Sequence, residues 1–342
     1  MKPRISPPRP RRRAGKAFAG AALPAALFIL GYRMLSAARR QPLPAALSGE
    51  RRELSSRAGR LSYYEAGGDG PPLLLVHSVN AAGSAYEVRP LYERYKTARK
   101  VYALELPGFG FSERRAHVYT PRLMTDAILA MVEEIGRRAA TSAPPPIDAL
   151  ALSLSAEFLA RAATEMPAAF RSLALVSPTG FDARASRREA RAGGPGMPLL
   201  RDALSFPLWS RSLYDLLVSR ASIRYFLGRT WGSPAIDEGL LEYDYLTTHQ
   251  PGAQHAPYSF VSGLLFSADI VQIYDALTVP VWLTQGVRGD FVDYSRASGF
   301  AGRPGWIVET FQTGALPHFE QPDEFIRRYD GFLAAAASPA AA

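Results

Sequence analysis

The chain has 342 residues, 47% of them hydrophobic and 21% charged, the balance of a globular protein with a sizeable core rather than of a disordered one. It contains no cysteine, which excludes disulfides, thiol catalysis and cysteine-based zinc sites. The formal net charge of +9 belongs to one end: residues 1–60 hold 14 Lys/Arg and 2 Asp/Glu, the rest 26 and 29, so nucleic acid is not an expected partner.

The first sixteen residues carry seven positive charges and no acid, and residues 17–32 (AFAGAALPAALFILGY) are uncharged. As a helix this stretch would reach about 24 Å, short of a ~30 Å hydrocarbon core, and Pro24 interrupts it. Three readings stay open: a short membrane anchor, a signal peptide cleaved near Ser36-Ala37-Ala38, or an amphipathic arm. Membrane association through this single segment is the expectation, with export after cleavage or a cytoplasmic location as alternatives. Residues 1–60 are read as this arm and a linker.

From residue 61 the pattern alternates between strand and helix. Strands are expected at Leu61–Glu65, Pro72–His77, Lys100–Leu106, Ile147–Leu152, Arg171–Ser177, Val279–Gln285 and Trp306–Phe311. Several are unbroken apolar runs, such as LLLV and LALV, as strands covered on both faces require. Thr120 and Pro121 open a helix whose Met124, Ile128, Met131 and Ile135 share one face. Another helix runs from Ser155 to Met166, and a last one starts near Pro322, presenting Phe325, Ile326, Tyr329 and Phe332 to the core. Residues 182–275 are rich in aromatics and lack a clear strand, so they are read as a helical cap inserted into the core. The fold class is therefore α/β: a mostly parallel central sheet with helices on both faces, its core formed by 61–181 and 276–333, and a disordered tail at 334–342.

The segment IDALALSLSAEF runs a buried strand directly into Ser153 and then into a helix. A nucleophile in so sharp a turn needs small neighbours two residues either side, here Ala151 and Ser155. The helix start would aim the Leu154 N–H at an oxyanion.

The runs LLLVHSVNAAGSAYEVRPLYERY and VYALELPGFGFSER, the elbow, RSLALVSPTGF and PVWLTQGVRGDFVD resemble, in order and spacing, the α/β-hydrolase family across about residues 61–333. LPGFGFS is the most specific of these motifs. The resemblance implies a second oxyanion N–H from Val79, with Ser78 in place of the usual glycine, and puts Glu105 where an aspartate is usual. It assigns the catalytic acid to Asp290, with Asp293 as fallback. Near the end, TGALPHFEQP can be registered in two ways. Spacing from the acid favours His318 as the base; registering on Glu320 and Pro322 puts Ala315 at the histidine position. The favoured expectation is a serine hydrolase using Ser153, His318 and Asp290 without cofactor or metal on a largely apolar small-molecule ester. A catalytically silent binding protein of the same fold, or an acyltransferase, are the alternatives.

Overall fold

The computed structural model describes residues 41–139, 145–182, 196–290 and 293–337. Eight strands form one sheet in the order β1-β2-β4-β3-β5-β6-β7-β8. They are β1 (Glu50–Ser56), β2 (Gly59–Ala66), β3 (Leu73–Val76), β4 (Val101–Glu105), β5 (Ile147–Leu152), β6 (Phe170–Val176), β7 (Val281–Gly286) and β8 (Trp306–Phe311). From β4 through β8 all pairings are parallel, while β1 and β2 form an antiparallel edge. The parallel strands β3, β5 and β7 are buried almost throughout. Successive residues of each strand face opposite layers. Leu74 and Val76 join one apolar layer, and Leu73 and Leu75 the other.

On the first face lie α2 (Pro121–Arg138) and α3 (Ser155–Glu165). Thr120 caps α2 by accepting from the Leu123 N–H, Pro121 fills its first turn, and Met124, Ile128, Met131 and Ile135 are all buried. On the second face lie α1 (Arg89–Tyr95) and the last helix, α11 (Pro322–Ala337). There Trp282 of β7 stacks on Tyr329 and Phe332. Between them come α4 (Pro198–Leu204), α5 (Ser210–Leu217), α6 (Arg220–Trp231), α7 (Glu238–Thr248), α8 (His255–Val261), α9 (Ile270–Asp275) and α10 (Pro317–Glu320).

Three boundaries differ from expectation. Residues 50–56, read as linker, form β1. Its alternation of charged and half-buried residues is the pattern of an edge strand, and its partner β2 supplies the register. The final helix continues to Ala337 rather than ending at 333, since alanine favours helix wherever the turn is already nucleated. The interval after β6 is helical among its described residues, but α9 packs into the core: Tyr274 stacks on Phe181, and both belong to the sheet's apolar layer. The apolar segment 17–32 and the Ser36–Ala38 site lie outside the described residues. Among the described residues no helix is long and apolar enough to cross a membrane.

Candidate active site

Ser153 follows β5 with φ at 52°, a left-handed conformation that L side chains resist. Two things hold it there. Its own N–H donates to the Val176 carbonyl of β6 at 2.9 Å, and the helix α3 begins two residues later. The small residue at 155 does more than avoid a clash: its hydroxyl donates to the His77 carbonyl at 2.5 Å and ties the elbow to the end of β3. Because β3 and β5 are parallel neighbours, with Val76 opposite Ala151, the loop 77–80 and the elbow leave the sheet side by side. Among the described residues no hydrogen-bond acceptor is seen for the Val79 or the Leu154 N–H. The Ser153 side chain is half-buried.

The loop carrying Val79 is braced by a carboxylate that sequence reasoning missed. Glu87 is buried, and its side chain accepts from the Ser78 N–H at 2.7 Å, the Ser78 hydroxyl at 2.9 Å and the Asn80 amide at 3.0 Å. Burial raises its pKa above the usual carboxylate range. Its neighbours in sequence gave no sign of this, since the partners sit seven and nine residues away across a loop. Next to it, His77 donates from Nδ1 to the Ser78 carbonyl (2.6 Å) and accepts the Leu106 N–H at Nε2 (3.0 Å). Burial pulls its pKa down to about 4, so it is a neutral structural group. The cap reaches the same loop through Tyr214 of α5, whose hydroxyl donates to the Ala81 carbonyl at 2.7 Å. Glu105 turns its carboxylate over the LPGFGFS loop and accepts from the Phe111 N–H at 2.7 Å; burial pushes it up to about 7.

Among the described residues no hydrogen bond joins His318 to Ser153. His318 is fully buried in α10 among Phe319 and Phe325, and its Nε2 donates to the backbone carbonyl of Glu87 at 2.8 Å. Nδ1 has no partner, and burial lowers the pKa to about 4. Asp290 is not brought to His318 either: it is exposed and forms an ion pair with Arg229 of the cap helix α6 at 2.5 Å. The fallback Asp293 is also exposed and accepts from the Ser295 N–H at 3.3 Å. The Ala315 carbonyl accepts from the hydroxyl of Ser177, the residue after β6, at 2.7 Å.

The loop 313–315 is held at several points. The Val287 and Arg288 N–H groups both donate to Thr313, the Ala315 N–H donates to Thr230 at 2.9 Å, and the Gly314 N–H donates to Glu320 at 2.6 Å. A Cβ on Gly286 would stand 2.1 Å from the Gly314 carbonyl oxygen, and one on Gly314 would stand 2.5 Å from that of Thr230. The loop is thus wedged between β7 and the cap. His318 acts on the site at one remove: it holds the backbone of Glu87, whose side chain holds the loop bearing Val79.

A mostly parallel sheet with helices on both faces and a positive-φ serine at a strand-to-helix turn are the features of an α/β-hydrolase fold. The sequence matches the family model described as "Alpha/beta hydrolase family" over residues 73–328, and the chain belongs to that family. No curated protein matches it. Among solved structures it is similar to a probable hydrolytic enzyme from Pseudomonas aeruginosa PAO1, at TM-score 0.65 and 18% identity, covering 86% of this chain and 96% of that one. It is similar to a naproxen esterase from Bacillus subtilis, at TM-score 0.60 and 18% identity, covering 84% and 93%. It is also similar to a serine hydrolase involved in carbazole degradation, at TM-score 0.60 and 14% identity, covering 84% and 99%.

Proposed function

We propose that the Ser153 elbow is a binding site for the carbonyl or carboxylate end of a largely apolar acyl compound, and that it does not turn esters over by the histidine-assisted route. What supports this reading is that, among the described residues, none of the five histidines is hydrogen-bonded to Ser153. His77 and His318 are bonded as described; His117 lies against the Val118 carbonyl and His249 against that of Tyr245. His255 opens α8, near Arg201 and His117. A ligand oxygen would accept from the Val79 and Leu154 N–H groups and from the Ser153 hydroxyl, while the aromatic-rich cap favours an apolar remainder. Without a base, the hydroxyl proton has no acceptor as the oxygen attacks. General-base assistance is worth about a hundred- to ten-thousand-fold.

A second reading, ester hydrolysis by Ser153, is favoured by the strain stored at its φ of 52°. A fluorescent fluorophosphonate applied to the full chain, beside Ser153→Ala, separates the two. The binding reading expects no labelling above the variant, together with saturable uptake of a medium-chain fatty acid that Ser153→Leu removes. Labelling of the parent alone would replace it with the hydrolase reading. Association with a membrane through residues 17–32 is part of the same proposal, supported by the basic flank of that apolar run.

A further inference from the structure

Of the thirteen large apolar side chains exposed among the described residues, ten lie between Met197 and Val261, in the cap. They concentrate around α5. Trp209, Leu213 and Leu216 follow each other at spacings of four and three, so they share one helical face. The opposite face, with Tyr214 and Val218, is buried in the core. The Phe206 ring lies 4.5 Å from that of Trp209, whose Nε1 donates to the Ala203 carbonyl at 2.8 Å, so the turn before α5 extends the strip. Leu216 is 72% exposed. The preceding helix α4 has no buried residue, and Leu199 on it is 85% exposed. A grouping of this kind on a folded protein marks a contact surface.

What covers it follows from where the N-terminal arm joins. The Gln41 carbonyl accepts from the Gln250 side chain at 3.0 Å, and the Pro44 carbonyl accepts from Tyr243 at 3.0 Å. Gln250 is in turn tied to α5 itself, because its carbonyl accepts from Arg211 at 3.3 Å. The described chain therefore begins at the cap, with Gln41 one hydrogen-bonded residue away from α5 and residues 1–40 preceding it in sequence. Those forty residues hold ten Lys/Arg, no acid, and the uncharged run 17–32. A basic, partly apolar segment joined to the chain at the cap that bears an exposed aromatic and leucine strip matches a surface that is both anionic and apolar.

We propose that the strip Phe206–Trp209–Leu213–Leu216 is a membrane-contact face, seated in the interface of an anionic bilayer beside the arm, which brings the cap to the lipid. The proposal stands whether or not Ser153 turns over a substrate. Of the four tryptophans Trp231, Trp282 and Trp306 are buried, so a change in emission on membrane contact reports Trp209. The experiment adds phosphatidylcholine–phosphatidylglycerol vesicles to the full chain and follows tryptophan emission and vesicle flotation. The expected result is a shift to shorter wavelength that Trp209→Phe abolishes, and a fall of about tenfold or more in vesicle partitioning for Leu213→Gln/Leu216→Gln. Both leucines are exposed, so circular dichroism of that variant should match the parent. Flotation without a shift, and equal in the double variant, would leave the arm as the sole contact and overturn the proposal. Emission already shifted before vesicles are added, and unchanged by them, would show that the strip is covered by the arm or by a second copy, and would overturn it equally.

Discussion

Replacing His318 with glutamine isolates what this histidine does. The glutamine amide nitrogen can take the place of Nε2 and keep the bond to the Glu87 carbonyl, while the group no longer titrates. In the folded chain burial lowers the histidine to about 4, against 6.5 for the ordinary group. The unfolded chain therefore binds the extra proton first. The neutral histidine's contribution is fully present above pH 6.5 and is lost as pH falls toward 4. Between pH 7 and pH 5 those two values predict that the parent loses about 2 kcal/mol more stability than His318→Gln. His77, shifted alike, is present in both proteins and cancels in the difference. Urea unfolding of parent and variant at the two pH values measures it. Parallel pH dependence would mean that His318 ionises freely in the folded chain and is not locked under Glu87. Fluorophosphonate reactivity that is present in the parent and lost in His318→Gln would restore it as the base.

Other changes probe the same geometry. Ala315→His places an imidazole on the loop beside Ser177 and should raise fluorophosphonate labelling of Ser153 at least about tenfold; an unchanged rate would show that this position does not reach the elbow. Ser153→Gly relieves the positive φ and should stabilise the fold by about 1 kcal/mol in denaturant unfolding, whereas destabilisation would mean that the hydroxyl is held by the site. Asp148, fully buried, accepts from Arg171 at 2.9 Å and Ser172 at 2.6 Å and also pairs with Arg99. Asp148→Ala strands both guanidinium groups and should cost about 3–5 kcal/mol, read as a shift in urea midpoint; a loss below ~1 kcal/mol would refute the pairing. Asp290→Asn should leave both the unfolding midpoint and ligand uptake unchanged, because that carboxylate is exposed and, among the described residues, pairs with Arg229 of the cap; loss of uptake would bring it back to the site.

Much of the fold was legible because the signals are local. Unbroken apolar runs marked β3 and β6 as strands buried on both faces, and a 4-3-4 spacing behind Thr120-Pro121 marked α2. Strand β1 was not legible, since its charged residues become a strand only when β2 offers a partner ladder. The elbow was readable from Ala151, Ser153 and Ser155 because a positive φ constrains its immediate neighbours.

The base and acid were a different problem. Counting residues from Asp290 to His318 treats the chain between them as free to adjust, but the loop 313–315 is clamped by Thr230, Gly286 and Glu320, none of which reveals that contact in one dimension. Glu87 shows the same divide: its carboxylate is an ordinary acidic residue in sequence, and only packing turns it into the brace of the Val79 loop and the partner of His318. The sequence by itself determined the buried parallel strands, the elbow and the charge of the N-terminal arm, because period, steric size and charge act over a few residues. Tertiary structure alone decided which side chains meet Ser153 and that the cap leaves a leucine and tryptophan face uncovered, because both depend on where distant segments are wedged against each other.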